Sequence, residues 1–355
     1  MSWLVFWRLA RTGLAVWALA SGVFLLSHHD LSVAARLAAP DAADLPLSGG
    51  ASPTAAQKQA TIRAIRQRLG AGLPLFYVSR PPAAHPRQWH WNGRRNQYHR
   101  WATALLHGDL GTSFRTGQAV TAQLGQALAL TLPLTGTAAV LAVLAALLLA
   151  RRLAAGPWWQ RPVRAALAGL HALPLFLVAL VLLLALANPE KLDWFPSYGF
   201  DQALEADSGF WTRVSTYALH LALPVAALVV TALPELTLQL DAALRHELRR
   251  DYATTARAKG LAEKAVIRHH AFRNAVLPTL TQVAELLPAL VAGAVVVEVV
   301  FALPGMGSLL AAAAAARDYP VLVGSVLLTG TARLLALLLA DVLYFWADPR
   351  IRWHT

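Results

Sequence analysis

The stretch from Arg245 to Pro278 contains the residues whose types and spacing most suggest a function. Eight lysine and arginine residues lie between Arg245 and Arg273, among alanines and other helix-forming residues. A basic loop often does no more than orient a membrane protein, because positive residues accumulate on the cytoplasmic side. Here the order of the residues indicates more than orientation, and it favours docking onto another protein over catalysis.

A first short helix is predicted within this stretch. It runs from Tyr252 to Lys259 and places Ala253 and Ala256 on one face. Their small side chains would let another protein approach this face closely. Gly260 suits the left-handed turn that commonly ends a helix.

A second helix is predicted from about Ala262 to Val276. It is expected to stop before Pro278, because the residue that precedes a proline is disfavoured in the helical conformation. The segment 262–278 would then act as a lever that leads into the next apolar block.

Charged residues also lie inside apolar blocks. On insertion scales, a charge at the centre of a membrane helix costs about 2.5 to 3.5 kcal/mol, so such residues are candidates for function. Glu298 falls near the outer end of one block and Arg333 near the middle of another, and the two could pair with each other or with a second subunit. The candidates are Glu235, Glu285, Glu298, Arg333 and Asp341.

The elements that position these residues are predicted to be membrane helices. Hydrophobic residues make up 57% of the 355 positions and charged residues 14%, whereas soluble domains have roughly 25% charged residues. A bilayer-spanning helix needs about 20 apolar residues, which predicts an all-α polytopic membrane protein with six transmembrane helices. The six blocks are Val5–Leu26, Ala127–Ala150, Ala165–Ala187, Val214–Leu238, Thr279–Leu303 and Val321–Trp346.

The first apolar block has a second interpretation. Arg8 and Arg11 precede an apolar run within this block, and Ala18-Leu19-Ala20 resembles the small-residue site at which a signal peptide is cleaved. The apolar run continues to Leu26, which favours an uncleaved anchor.

The distribution of positive charge predicts the orientation. With the N-terminus inside, the inner segments carry sixteen lysine and arginine residues and the two short outer loops carry three. Both termini are therefore expected in the cytoplasm. The net charge of +12 is explained by these loops, so nucleic-acid binding is not expected.

These predictions divide the chain into three parts. Residues 1–27 form the first transmembrane helix, and residues 28–126 form a periplasmic segment with an amphipathic helix at 53–69. Residues 127–355 form a core of five transmembrane helices with a cytoplasmic loop at 241–278. Within the periplasmic segment, residues 80–100 are rich in proline, tryptophan, histidine and arginine, and they are expected to be irregular.

Several motifs in order resemble the permeases of ABC importers, specifically the oligopeptide/dipeptide branch. In the basic loop they are Tyr252, Ala256-Arg257-Ala258-Lys259-Gly260, His270, Arg273-Asn274 and Leu277-Pro278. Further along they are Gly293 to Glu298, Phe301, Pro304-Gly305-Met306-Gly307, Arg317-Asp318-Tyr319-Pro320 and Asp348 to Arg352, and upstream Gly108 to Ser113. The resemblance covers the chain from about Tyr98 onward. Two departures are Thr254-Thr255-Ala256, where the general family has Glu-Ala-Ala, and the insertion-like segment 80–97.

The resemblance implies a type I ABC importer fold and a set of partners. Two permeases would pair, two cytoplasmic ATPases would receive the basic loops, and an external binding protein would deliver the solute. This chain contains no phosphate-binding loop ending in Gly-Lys-Ser or Gly-Lys-Thr, so ATP and magnesium are expected at the ATPase subunits and no cofactor on this chain. It is not expected to be an enzyme.

The resemblance also implies two groups of site residues. The residues expected to couple to the ATPase are Tyr252, Ala253, Ala256, Arg257, Ala258, Lys259, Gly260, His270, Arg273, Asn274 and Pro278. Those expected on the translocation pathway or its gate are Glu285, Glu298, Pro304, Gly305, Gly307 and Arg333. No metal site is expected.

The cargo stays open at this point. Di- or oligopeptides are the most common solutes of the family, and nickel, opines and glycosides are alternatives within it. An ion-coupled secondary transporter is the alternative from another class, although no repeat of interrupted helices is found. A membrane enzyme is disfavoured, because the chain lacks the Gly-x-Ser-x-Gly and His-Glu-x-x-His motifs.

Overall fold

The computed structural model describes residues 2–28, 73–79, 89–154, 158–188, 192, 194–196 and 209–347, and this part of the chain is mostly helical. The helices are α1 Ser2–His28, α2 Gln97–Leu106, α3 Val120–Ala154, α4 Gln160–His171, α5 Leu175–Leu186, α6 Phe210–Glu247, α7 Asp251–Ala258, α8 Glu263–Val266, α9 Phe272–Val300, α10 Met306–Ala315 and α11 Tyr319–Ala347. A π-helix, Ile267–Ala271, joins α8 to α9. Two short strands, β1 Val78–Ser79 and β2 His90–Trp91, pair antiparallel. The predicted helix at 53–69 lies outside the described residues.

Three of the described helices are long and apolar enough to cross a membrane by themselves: α3, α6 and the Tyr319–Leu338 part of α11. The first and fifth predicted blocks fall on α1 and α9. The prediction of a helical membrane protein is therefore confirmed at the level of several apolar helices.

The third predicted block, Ala165–Ala187, is not one continuous helix, so it crosses the membrane by itself only if the two parts form one broken span. The block is divided between α4 and α5, which meet at an angle of 101°. The break falls at Pro174, which has an extended conformation with φ −65° and ψ 142°. A proline disfavours the helical conformation of the residue before it, so α4 ends and a new helix starts after the proline.

The described chain forms two compact units. One consists of Met1–Thr12, Leu128–Ser308 and Ala332–Thr355, and the other of Gly13–Ala127 and Leu309–Thr331. The core of the first unit is built by α3, α5, α6 and α9, and its fully buried members include Leu134, Leu228 and Val297.

A second apolar cluster in the same unit holds the predicted coupling loop together. It joins the C-terminal part of α6 to α7, α8, the π-helix and the start of α9. Leu240 and Leu244 of α6 meet Val266 and Ile267 there, and all four are buried. The loop is thus part of the packed structure and not a solvated linker.

The second predicted helix of the loop does not stop before Pro278. The helical backbone runs from Phe272 through Pro278 to Val300 as the single helix α9. A proline inside a helix removes one N–H donor, and membrane helices tolerate this because neighbouring groups satisfy the freed carbonyl. The segment is therefore continuous with the fifth apolar block.

An aromatic cluster dominates the other unit. Tyr98 of α2 makes edge contacts with the rings of Phe24 and Phe76, and its hydroxyl lies 2.7 Å from the Ser21 hydroxyl of α1. The side chain of Asn96 starts α2 by accepting a hydrogen bond of 2.7 Å from the His99 amide. Of the segment 80–100, predicted to be irregular, the described part contains β2 and the first four residues of α2, which are regular structure.

Candidate functional site

The short helix α7 is present where the sequence predicts it, and Gly260 terminates it. The backbone of Gly260 has φ +81°, a region that residues with a Cβ rarely adopt. The Gly260 amide donates to the Arg257 carbonyl at 2.9 Å, and the Leu261 amide donates to the Ala256 carbonyl at 3.3 Å. This pair of hydrogen bonds is the Schellman motif. The left-handed backbone conformation at position 260 therefore explains why a glycine is found there.

Ala253 and Ala256 share a face of α7, as predicted, but another protein does not have access to that face in this chain. Both are buried, with 0% and 5% exposure, in the cluster that contains Val266, Ile267 and Ala271. Their small side chains let α7 pack closely against its own lever. Assigning them to a contact with another protein was therefore wrong for these two residues.

Arg257 also contacts this chain. Its guanidinium donates two hydrogen bonds of 2.8 Å to the two carboxylate oxygens of Glu263 and one of 3.0 Å to the Leu248 carbonyl. The hydrogen bonds from Arg257 lower the pKa of Glu263 below its ordinary value. The side chain thus fixes the end of α7 to both α6 and α8.

Tyr252 and Asn274 connect α7 to the lever. The Tyr252 hydroxyl donates to Glu247 at 2.6 Å and accepts from the Asn274 amide at 3.3 Å. Burial, followed by the hydrogen bond to Glu247, raises the pKa of Tyr252 above its ordinary value. This network links the end of α6, the start of α7 and the first turn of α9, so the three helices are expected to move together.

The outward face of the loop consists of other residues than the two alanines. Thr254, Thr255, Ala258, Lys259 and Gly260 are exposed, and we call this set the α7 face. No atom lies within 4 Å of a Cβ built on Gly260. The α7 face is therefore an exposed surface of this loop.

The remaining predicted coupling residues lie on the lever. His270 in the π-helix and Arg273 in the first turn of α9 are exposed. Pro278 is within the α9 backbone. In the π-helix the hydrogen-bond pattern is locally widened, a feature often found at functional sites.

A buried carboxylate that the sequence analysis overlooked anchors the inner end of α6. Asp241 has 0% side-chain exposure and accepts hydrogen bonds of 2.7 and 2.9 Å from the Arg164 guanidinium of α4. Arg245, one turn further along α6, lies 3.1 Å from the same carboxylate. The spacing of four residues between Asp241 and Arg245 was the available signal. These arginines were interpreted only as orientation charges.

Glu298 does not pair with Arg333 but caps α10. Its carboxylate is fully buried and accepts hydrogen bonds from the Thr131 hydroxyl at 2.6 Å and from the Gly307 and Ser308 amides at 2.6 and 3.1 Å. These amides belong to the first turn of α10, where free N–H groups and the helix dipole favour a negative charge. Glu298 therefore joins α9, α3 and α10 at one point.

The motif from Pro304 to Gly307 is explained by this cap. A Cβ on Gly305 would overlap the Glu298 carboxylate, and a Cβ on Gly307 would overlap the backbone of Val295. Both glycines are buried, whereas Pro304 is exposed. The absence of a Cβ at these two positions lets the chain approach Glu298 and Val295 closely. A resemblance to a motif does not reveal this reason for the glycines.

Two further motifs, separated by 205 residues, meet in the other unit. Asp318, at the start of α11, accepts hydrogen bonds from the Ser113 hydroxyl and from the Phe114 amide, the latter at 3.1 Å. Ser113 in turn accepts from the Thr116 amide at 3.0 Å. The carboxylate thus closes the loop before α3 onto the beginning of the last helix.

The other predicted pathway residues are not brought together. Glu285 lines a cavity between α5, α6 and α9 that Glu235 also lines. Arg333 lies on α11 with an exposed side chain, and the Asp341 side chain lies outside the described part of the chain.

Comparison with known proteins identifies the relatives of this chain. Residues 119–353 match the model of the family described as binding-protein-dependent transport system inner membrane component. A protein of Brucella abortus that carries the name of a peptide transport system permease is 34% identical, over 90% of this chain and 91% of its own length. An oligopeptide transport system permease protein of Bacillus subtilis is 33% identical over 72% of this chain and 80% of its own. An Escherichia coli protein with the name of a D,D-dipeptide transport system permease is 31% identical over 92% and 91%.

Proposed function

This chain belongs to the family of binding-protein-dependent transport system inner membrane components, and from that premise we propose that it is the permease subunit of an ATP-driven importer of di- or oligopeptides. The names of relatives that align over about nine tenths of both chains support this cargo. The observation that carries the mechanism is the exposed α7 face, held on a helix that is fixed to α6 and α9. A family member of this kind is a transport component and does no chemistry on its solute.

We propose that the α7 face docks in a cleft of a cytoplasmic ATPase. Closure of two ATPase subunits on ATP and magnesium then moves α7, and the hydrogen bonds of Tyr252 and Arg257 transmit this movement to α6 and α9 as a rigid body. A second permease completes the pathway, and an external binding protein delivers the solute. Six spans, of which the third is the bent pair α4 and α5, place both termini in the cytoplasm of a bacterial inner membrane.

Glu298, Gly305 and Gly307 have a positioning role in this proposal. They fix the first turn of α10 against α3 and α9, so that a movement of α9 also carries α10. The exposed Pro304 lies two residues before this turn. The pathway is then opened by helices that move together and not by a side chain that swings.

Adding bulk to the α7 face should uncouple ATP hydrolysis from uptake. Ala258→Trp places a large side chain on an exposed helical position and leaves the backbone unstrained. Gly260→Val adds bulk and also forces a β-branched residue into the left-handed region, at a cost of about 1 to 2 kcal/mol. We expect both variants to insert normally and to lower solute uptake by at least about tenfold, since a docking contact worth about 1.4 kcal/mol corresponds to that factor.

Gly260→Asn is the matched control, because asparagine tolerates the left-handed region. Because asparagine avoids most of the backbone strain that valine causes, Gly260→Asn should retain more uptake than Gly260→Val. The difference between the two variants gives the part of the loss that is due to backbone strain. Uptake and solute-stimulated ATP hydrolysis are measured in proteoliposomes that contain the whole transporter. Wild-type uptake by Ala258→Trp would contradict docking at this face, and uptake without any ATPase subunit would favour the secondary transporter.

A further inference from the structure

A cavity of about 260 Å³ lies between α5, α6 and α9. Most of its wall is apolar, with Leu228 and Leu286 among the lining residues. Its polar groups are Thr231, Gln282 and two carboxylates, Glu235 and Glu285. A cavity with apolar walls and a few convergent polar groups is the usual form of a small-ligand site.

Both carboxylates fall within predicted membrane-spanning blocks, Glu235 in Val214–Leu238 and Glu285 in Thr279–Leu303. Glu235 precedes the Asp241 anchor by six residues, which is roughly 9 Å along a helix, and Glu285 follows the start of α9 by 13 residues, or roughly 20 Å. A solute that crosses between the helices would meet both carboxylates at this depth.

The charges of the cavity are not balanced within the described part of the chain. Neither Glu235 nor Glu285 has a cationic partner there, and both side chains are exposed. Arg164 and Arg245 are paired with Asp241 instead. Unbalanced charge inside a membrane protein is costly unless it faces water or a ligand, so the complementary ligand group is positively charged.

We propose that Glu235 and Glu285 form a site that favours the cationic groups of the solute, an ammonium or a guanidinium, during its passage through the permease. The volume accommodates one side chain or an amino terminus with its first residue, while the rest of a peptide extends along the pathway. The leucines contact the aliphatic part and the carboxylates contact the charged end. This site rests on the proposed import of peptides, and it adds a preference for peptides with a cationic group.

The test compares two peptides of equal length and similar shape, Ala-Lys-Ala and Ala-Gln-Ala. Uptake is measured in proteoliposomes with the complete transporter and one binding protein throughout, so the selectivity of that binding protein cancels between variants. We expect Glu235→Gln combined with Glu285→Gln to lower the kcat/KM ratio of the lysine peptide to the glutamine peptide by about tenfold, as for the loss of one charge-assisted contact. The control, Glu235→Asp with Glu285→Asp, keeps both charges and should keep the ratio within about twofold.

An unchanged ratio in the double glutamine variant, with uptake of the glutamine peptide intact, would overturn the site. If the wild-type transporter takes up neither peptide, the proposed cargo is wrong, and the site is then tested by binding of lysinamide to the purified complex in nanodiscs. Binding that weakens about tenfold in the double glutamine variant supports the site. Equal binding by both proteins, or no binding by the wild type, overturns it.

Discussion

Alanine in place of Gly307 should destabilise the protein by about 3 kcal/mol or more, because overpacking costs most where the neighbour cannot move. A Cβ at this position would overlap the Cα and the side chain of Val295, whose backbone is held in the last two turns of α9. Relief requires α10 to separate from α9, and this would withdraw the Gly307 amide from Glu298. The expected result is a large loss of folded protein in the membrane and a lower thermal unfolding midpoint after extraction.

Gly136→Ala is the matched control for this prediction. Gly136 lies in α3, and no atom is within 4 Å of a Cβ built there. Alanine is favoured over glycine in a helix by about 1 kcal/mol, so this variant should be at least as stable as the wild type. A Gly307→Ala protein as stable as the Gly136→Ala protein would show that α9 and α10 are not in the close contact described.

Removing the guanidinium of Arg164 should cost about 3 kcal/mol, because it leaves the buried Asp241 carboxylate without its bidentate partner. The side chain of Asp241 has 0% exposure, and Arg245 can only partly compensate because it is half exposed. We expect Arg164→Ala to detach α4 from α6 and to lower the free energy of unfolding measured by steric trapping in bicelles.

Two further variants distinguish the loss of the Arg164–Asp241 ion pair from a general effect of removing a charge. Arg161→Ala removes an exposed arginine from the same helix and should change stability by less than about 0.5 kcal/mol. Arg164→Ala combined with Asp241→Leu removes both charges and should recover most of the loss, since the penalty of the single variant is an unpaired buried charge. Equal losses for Arg161→Ala and Arg164→Ala would contradict the importance of the ion pair.

The features that the sequence predicted correctly are those with a local cause. The bounds of α7 follow from helix-forming residues that end at a glycine, and the turn at Gly260 follows from its lack of a Cβ. Likewise, the apolar helices follow from runs of apolar residues. In each case the signal lies within a few turns of the residue concerned, so no knowledge of the tertiary structure is needed.

The features that the sequence did not predict depend on partners far along the chain. That Ala253 and Ala256 face their own lever could not be known, because small residues permit close approach to any partner. The hydrogen bond from Thr131 to Glu298 forms only because α3 packs against α9. The bend at Pro174 had a local signal, but the surrounding apolar run concealed it.

The bond between Ser113 and Asp318 also sets an order of events during synthesis. At about 5 to 20 residues per second, the ribosome needs about 10 to 40 s to make the 205 residues between them. During that interval the loop before α3 has already left the ribosome but lacks the carboxylate that closes it. This unit can therefore mature only after the start of α11 has emerged, so its assembly is completed late relative to the synthesis of α3.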